Sequence, residues 1–352
     1  MGPLLFITHY WRFAMKRNIV RITLAVAFAF ALSAAGLASA APTLKLGAAS
    51  NTGGMIVFVG VDKGFFAKNG LDAKVVVRNT GAQLTKSLKA GQIDFAPAAF
   101  TNLPAALERG IKVRGVVGYV GGSYKKSTTD EMVGIAVRPG KGIKSIKDLK
   151  GKKIGATFGS TGDLYLRTLL ERNGIGVGGV RRINVRPPSL VSLFDSGGVD
   201  AMVAWEPYLT RMVDKVKGSS IVSRGGDYVC FCAGMHGVPE RVYKDKKATQ
   251  AFVNGMSESA AYVRDPKNRD EIAKIGARYV RGMDAALIKR TIKWWTYDPR
   301  LGENTLKAFN FSVKQLIAQK KMKRPYDPKK YFDFQFINRT MKEHPEWFKD
   351  LN

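Results

Sequence analysis

Apolar positions follow two alternating spacings along the chain. Short runs such as Leu44 to Ala49, Ala73 to Arg78, Ile93 to Ala98 and Val113 to Val120 read as strands. Between them, apolar residues three and four apart read as helices, beginning with Val57, Phe58, Val61, Phe65 and Phe66 inside Met55 to Lys68, which stops before Asn69-Gly70. Gln83 to Lys89 and Leu103 to Glu108 supply two more helices, the second closed by Gly110. Strands alternating with helices predict a mainly parallel sheet.

The pattern occurs twice. Leu46 to Gly54 is echoed 108 residues later by Ile154 to Gly162, Val75 to Arg78 by Ile183 to Arg186, and Leu88 to Phe100 by Phe194 to Glu206 after 106. Solenoid units span ~20 to 50 residues, so a period of this length is that of a lobe, and the chain reads as two similar α/β lobes facing each other across a cleft. The second copy starts near Val133 and runs through strand Lys153 to Phe158, helices Leu164 to Asn173 and Ser189 to Phe194, strand Val199 to Ala204, and helix Pro207 to Lys217 with proline in its first turn. A strand over Tyr228 to Ala233 then precedes the return to the first lobe. From Pro239 onward the periodicity is helical, over Ala248 to Arg264, Arg269 to Tyr279, Asp284 to Trp295 and Glu303 to Gln319, helices expected to pad the first lobe and brace a hinge. The organisation read from the sequence is residues 1–40 as a leader, 41–132 and 235–352 as the first lobe, and 133–234 as the second.

The leader carries Arg12, Lys16, Arg17 and Arg21 with no acid, then the apolar run Ile22 to Leu32, then Ala38-Ser39-Ala40. This is the pattern of a secretory signal cleaved after Ala40, and Met15 offers a second possible start. The apolar run is shorter than the roughly 20 residues that a bilayer requires, and no Cys follows it to accept a lipid. An exported protein, placed in the periplasm, is the expectation.

The formal charge of the whole chain is +29; without the four leader cations, 53 Lys and Arg face 28 acids, a charge of +25. The cations are dispersed, with local clusters at Lys141 to Lys153 and Lys320 to Arg324, and no zinc spacing or RNP-like motif accompanies them, so nucleic acid is not expected as a partner. A basic surface suits anionic headgroups and biases the protein toward anionic ligands. Cys230 and Cys232 flank one residue on a predicted strand, where a bridge would close a small strained ring, and they are read as two buried thiols. The histidines are His9, His236 and His344, and no serine has a Gly-x-Ser-x-Gly elbow. Neither a metal nor an organic cofactor is expected.

Three stretches carry a resemblance: Gly60-Val61-Asp62-Lys63-Gly64-Phe65-Phe66, Ser145 to Gly155, and Gly198-Val199-Asp200-Ala201 followed by Trp205-Glu206-Pro207. In this order, and over Leu44 to about Lys323, the chain resembles the periplasmic solute-binding proteins of ATP-driven importers for nitrate, sulfonates, taurine and thiamine-precursor pyrimidines. The resemblance implies a type II periplasmic binding protein fold, α/β, with two lobes, a hinge and a ligand cleft. It also implies a small-molecule solute, an inner-membrane ABC permease with its ATPase as partner, a monomer, and no catalysis. The alternative on the same fold is the fungal pyrimidine-precursor synthase, whose Cys-Cys-Cys-Phe-Cys iron motif is matched only by Cys230-Phe231-Cys232.

In open α/β sheets, ligands sit beyond the carboxyl ends of the strands. The candidate binding residues are therefore Asn51, Thr52, Gly53 and Gly54 after the first strand, Ala99, Phe100 and Thr101 after the third, and Gly159, Ser160, Thr161, Trp205 and Glu206 at the equivalent positions of the second lobe. Small polar residues at a helix start suit an anion, and they equally suit plain capping. Trp205 is read either as a wall of the site or as packing within its lobe. Glu206 is read as a closure contact or as a sign that the solute is neutral or carries an amine. Phe100 and Thr101 occupy the corresponding rim of the first lobe, and Tyr119, near the crossing, is a hinge candidate. N-terminal sequencing of protein released from a Gram-negative host by osmotic shock should begin at Ala41; a membrane-bound product retaining residues 1–40 overturns the export reading.

Overall fold

The computed structural model describes residues 41–124 and 130–351, and the predicted leader lies outside them. The described chain contains ten strands: β1 (Thr43–Ala49), β2 (Asp72–Arg78), β3 (Ala96–Ala99), β4 (Arg114–Val120), β5 (Val133–Val137), β6 (Lys153–Ala156), β7 (Arg181–Asn184), β8 (Ala201–Trp205), β9 (Ser220–Arg224) and β10 (Ala233–Gly237). β1 pairs in parallel with β2, from Thr43 opposite Asp72 to Ala49 opposite Arg78, and a bridge from Leu46 to Phe95 carries the sheet on toward β3. β10 lies antiparallel between β3 and β4. The second lobe has the order β7-β6-β8-β5-β9, with β5 antiparallel between β8 and β9.

The two sheets therefore match strand for strand, β2-β1-β3-β10-β4 against β7-β6-β8-β5-β9. They are mixed rather than mainly parallel, because the fourth strand of each row is delivered by a crossing from the other lobe, and a strand inserted from there runs against its neighbours. Periodicity could not reveal this, since β10 belongs in space to a lobe that the chain left at Val120.

In β5 and β8 successive residues face two different cores. Val133, Ile135 and Val137 join Ala201 and Val203 against Tyr165, Leu166 and Leu169, while Ala136 and Met202 meet Phe194, Leu209 and Met212 on the other face. Burial on both faces is why Ala201–Trp205 reads as an unbroken apolar run. The core of the first lobe joins Leu46, Phe58, Phe66 and Phe95 to Phe252, Ile288 and Phe309 from the helices after Pro239. Phe252 stacks on Phe95 with ring centroids 4.2 Å apart, and Gly255 lets its helix, Lys246–Arg264, close onto Phe66. The helix read over Met55 to Lys68 breaks at Gly64, whose φ of 72° a continuing helix cannot hold, giving Met55–Asp62 and Phe65–Lys68. Likewise, the segment read as one helix over Asp284 to Trp295 ends as α-helix at Thr291 and finishes in a 3-10 turn, Ile292–Trp294.

Tyr228 to Cys232 is a loop, with β10 starting only at Ala233, and Cys230 and Cys232 are disulfide-bonded rather than free. Their Cα atoms are 5.2 Å apart, whereas an extended strand would set them about 6.6 Å apart, near the limit for bridging. The loop is the second crossing between lobes, and it packs directly on the first: a Cβ at Gly121 (φ 83°) would lie 2.5 Å from the Phe231 carbonyl oxygen.

His236, in β10, is enclosed between Phe100 and Phe332. Its ring nitrogens lie near the Gly234 and Ala96 main chain without reaching hydrogen-bond geometry, and burial pushes the imidazole down to about 4. The unfolded chain then takes up this proton first as pH falls. The stability that neutral His236 preserves is complete above the ordinary value near 6.5 and is lost on acidification toward 4, at up to about 1.4 kcal/mol per pH unit. Urea melts of the native protein and His236→Gln between pH 7 and 4 should diverge with this slope; parallel curves would show that His236 is not the group responsible.

Candidate functional site

The carboxyl ends of β1, β3, β6 and β8 meet where the lobes touch. Thr101 and Thr161 approach across the seam with hydroxyl oxygens 3.3 Å apart, and Tyr208 of the second lobe donates its hydroxyl to the Ser50 carbonyl at 3.1 Å. Farther out, Arg290 pairs with Asp214, and the Arg224 guanidinium sits 4.1 Å above the Trp294 ring. The lobes are thus held shut by contacts that run from the centre of the seam to its rim.

Several sequence candidates serve as caps. Asn51 Oδ1 accepts from the Gly53 amide at 2.9 Å, and Ser160 Oγ from the Asp163 amide at 3.3 Å. Asp163 also stands in the first turn of helix Thr161–Arg172, paired with Arg167 at 3.2 Å and Arg182 at 2.8 Å. A carboxylate therefore already occupies the positive end of that helix. Gly159 is exposed and Ala99 half-buried, while Gly54 is closed in against Phe58. Phe100 is not on a rim: it is fully buried in the first lobe, in edge contact with Phe332 and packed on Gly234. Glu206 is fully buried and takes hydrogen bonds from Arg224 at 2.6 Å and from the Thr210 amide and hydroxyl at 3.0 and 2.9 Å. With those partners it is a structural ion pair behind the seam, and its presence carries no requirement for an amine on the ligand.

Four buried donors are gathered around the seam without a hydrogen-bond partner: the Thr52 hydroxyl, the Tyr119 hydroxyl, and the indole N–H groups of Trp205 and Trp295. The Trp295 ring lies against Gly53, where a Cβ would come within 2.8 Å of it, and Tyr297 donates to the Thr52 carbonyl at 2.7 Å. The Tyr119 hydroxyl sits beside the Ala49 amide, outside hydrogen-bonding geometry. Burial holds both phenols, Tyr119 and Tyr297, protonated far above their ordinary range, so Tyr119 remains a donor at neutral pH. Trp205, carried by β8, packs into the core of the first lobe; its ring is flanked by Tyr208 at 6.2 Å and Phe231 at 6.4 Å, and Phe231 in turn meets Trp295 at 6.3 Å.

Phe231, Trp295, Tyr297 and Tyr208 escaped the sequence reading. Trp295 and Tyr297 come from the helical C-terminal region, and they reach the seam because the Thr296 and Pro299 carbonyls accept from the Gly121 and Gly118 amides at 2.8 and 2.7 Å along the open edge of β4. Trp295 at the end of the periodic helix and Tyr297 just beyond it were the available signal. Among the described residues, neither imidazole lies at the seam: His236 is in the first-lobe core, and His344 stacks on Trp347.

Residues 38–277 match the model of the NMT1-like family. The chain belongs to this family. A candidate binding protein of Brucella abortus (strain 2308) is 31% identical over 216 residues, covering 60% of this chain and 62% of the relative, so the chain spans about three fifths of that protein's length. Among solved structures, the alkanesulfonate-binding protein SsuA of Xanthomonas axonopodis pv. citri, bound to MOPS, superposes with a TM-score of 0.71 over 84% of this chain and all of that one, at 18% identity. The desulfurization enzyme DSZB gives 0.62 over 86% and 99% at 17% identity. Both likenesses identify the fold, the two-lobed α/β fold of periplasmic binding proteins, and within it this NMT1-like chain has its aromatic and hydroxyl groups at the meeting of the strand ends.

Replacing Arg224 by Ala leaves Glu206 buried without its cation and should cost about 3 to 5 kcal/mol, whereas Ser160→Ala should cost about 1 kcal/mol as a lost cap. Denaturant melts on both variants test this; equal losses would remove Glu206 from its structural role.

Proposed function

We propose that the chain is the exported solute receptor of an ATP-driven importer, which captures a small molecule between its lobes in the periplasm and hands it to an inner-membrane permease served by its ATPase. Four unpaired donors at the seam carry this reading. A buried donor left unmatched costs about 1 to 3 kcal/mol, and four in one place are a standing cost to the empty protein that a ligand offering acceptors would remove. The interlobe contacts fit a closed state favoured by a ligand that touches both lobes. The leader pattern, the family and the fold agree with it, and the receptor is expected to act as a monomer without cofactor. Of the sequence candidates, Thr52 and Trp205 are assigned to the ligand, Thr101 and Thr161 to closure, and Asn51, Gly53, Gly54, Gly159 and Ser160 to the turns that shape the site. Tyr119 and Trp295 join the ligand set. Cys230 and Cys232 are bonded to each other, so neither offers the free thiolate that nucleophilic chemistry needs.

A thermal-shift screen of sulfonates, nitrate, bicarbonate, taurine, aromatic acids and pyrimidines should find a ligand that adds about 2.7 kcal/mol of stability at 100 times its dissociation constant. With that ligand, Thr52→Val combined with Tyr119→Phe should have opposite effects on two measurements. Affinity falls by about 1 to 3 kcal/mol, while the empty protein is as stable as before or more so, because unmatched buried donors have been removed. Unchanged affinity in calorimetric titration would place binding outside the seam and sink the receptor model as drawn.

A further inference from the structure

Resting on the receptor reading, we infer that the solute is an aromatic acid: a planar ring bearing one carboxylate or sulfonate, in preference to an aliphatic sulfonate or an inorganic anion. Two observations carry the inference together. The first is the kind of donor. Thr52, Tyr119, Trp205 and Trp295 offer two hydroxyls and two indole N–H groups, all buried, all neutral and all without partners. The charged groups close behind the seam are already committed, Glu206 to Arg224, Asp163 to Arg167 and Arg182, and Arg224 itself to the Trp294 face. Neutral donors can satisfy the oxygens of an oxyanion, but they do not supply a countercharge. Nitrate brings the same charge with no apolar surface, so the water it gives up is not compensated by burial of a ring.

The second observation is the wall. Phe231 stands between Trp205 and Trp295, its ring tilted 42° to one and 83° to the other, and Tyr208 meets Trp205 edge-on at 87°. The rings form a chain of tilted and edge contacts, Tyr208 to Trp205 to Phe231 to Trp295, and a further ring can extend such a chain by presenting its edge to one member and its face to another. An alkyl chain would fill the same space without that term. Phe231 is held at this point by a short frame: Cys230 and Cys232 on either side are bonded together, the Asn304 amide reaches Cys230 Sγ at 3.5 Å, and Gly121 of the other crossing lies against the Phe231 carbonyl. A side chain placed by both crossings can select for ligand shape, because moving it means moving the hinge.

The test is calorimetric titration of the mature chain with five probes: benzoate, cyclohexanecarboxylate, benzenesulfonate, ethanesulfonate and nitrate. Benzoate should bind at least tenfold more tightly than its saturated-ring counterpart cyclohexanecarboxylate, benzenesulfonate more tightly than the aliphatic ethanesulfonate, and nitrate more weakly than either aromatic acid. Phe231→Leu should narrow the aromatic preference several-fold, whereas Trp295→Phe, which keeps a ring and removes the N–H, should weaken benzoate and cyclohexanecarboxylate by a similar factor. Equal or tighter binding of cyclohexanecarboxylate, ethanesulfonate or nitrate overturns the aromatic class and leaves the receptor reading standing. Silence toward all five probes also overturns the class, and the receptor reading is then decided by the Thr52 and Tyr119 variants in the wider screen.

Discussion

The insertion of β10 between β3 and β4 is the constraint on which the rest of the molecule depends. Until the chain has built the second lobe and come back, β3 and β4 have no strand between them, and the first sheet is two pieces with open edges. The same rule acts in reverse on the second lobe, whose β5 arrives first and waits for β8 and β9. The second lobe builds its sheet from one uninterrupted stretch, β5 to β9, but the first must wait for β10 to return, so two crossings lie side by side. Gly121 has no side chain because the partner crossing occupies that space.

Side-by-side crossings fix where a ligand can be read. Strand ends from both sheets point at the seam; the end of β8 brings Trp205 to it, and the segments following β1, β3 and β6 bring Thr52, Thr101 and Thr161. The return crossing adds Phe231, and the segment bound along β4 adds Trp295 and Tyr297. The groups at the seam consequently come from six separated stretches of the chain. Its buried donors are neutral hydroxyls and indoles, while the chain as a whole is strongly cationic.

Electrostatics behind the site follow the same economy. Glu206 and Asp163 are carboxylates placed close to where an anion would bind, and each is neutralised by arginine within its own lobe. Arg224 extends that pairing to the Trp294 ring across the seam, so the ion pair that keeps Glu206 tolerable also touches the other lobe.

Much of this was legible in the sequence. The 106- to 108-residue echo determined that there are two similar lobes, because each copy must bury its own strands with its own helices, and the small polar residues after the strands pointed to loops that the fold brings to the seam. Local chemistry also set the caps at Asn51 and Ser160, which depend only on neighbours two or three residues away. What only the tertiary structure decided were the features that depend on distant segments meeting. The sequence could not show that Phe100 turns into the core, that Glu206 has Arg224 beside it, that Cys230 and Cys232 lie on a loop bent enough to bridge, or that Trp295 reaches Gly53. Periodicity reports which face of an element is apolar, but not which element it will face; that choice belongs to the crossings, and the crossings made the site.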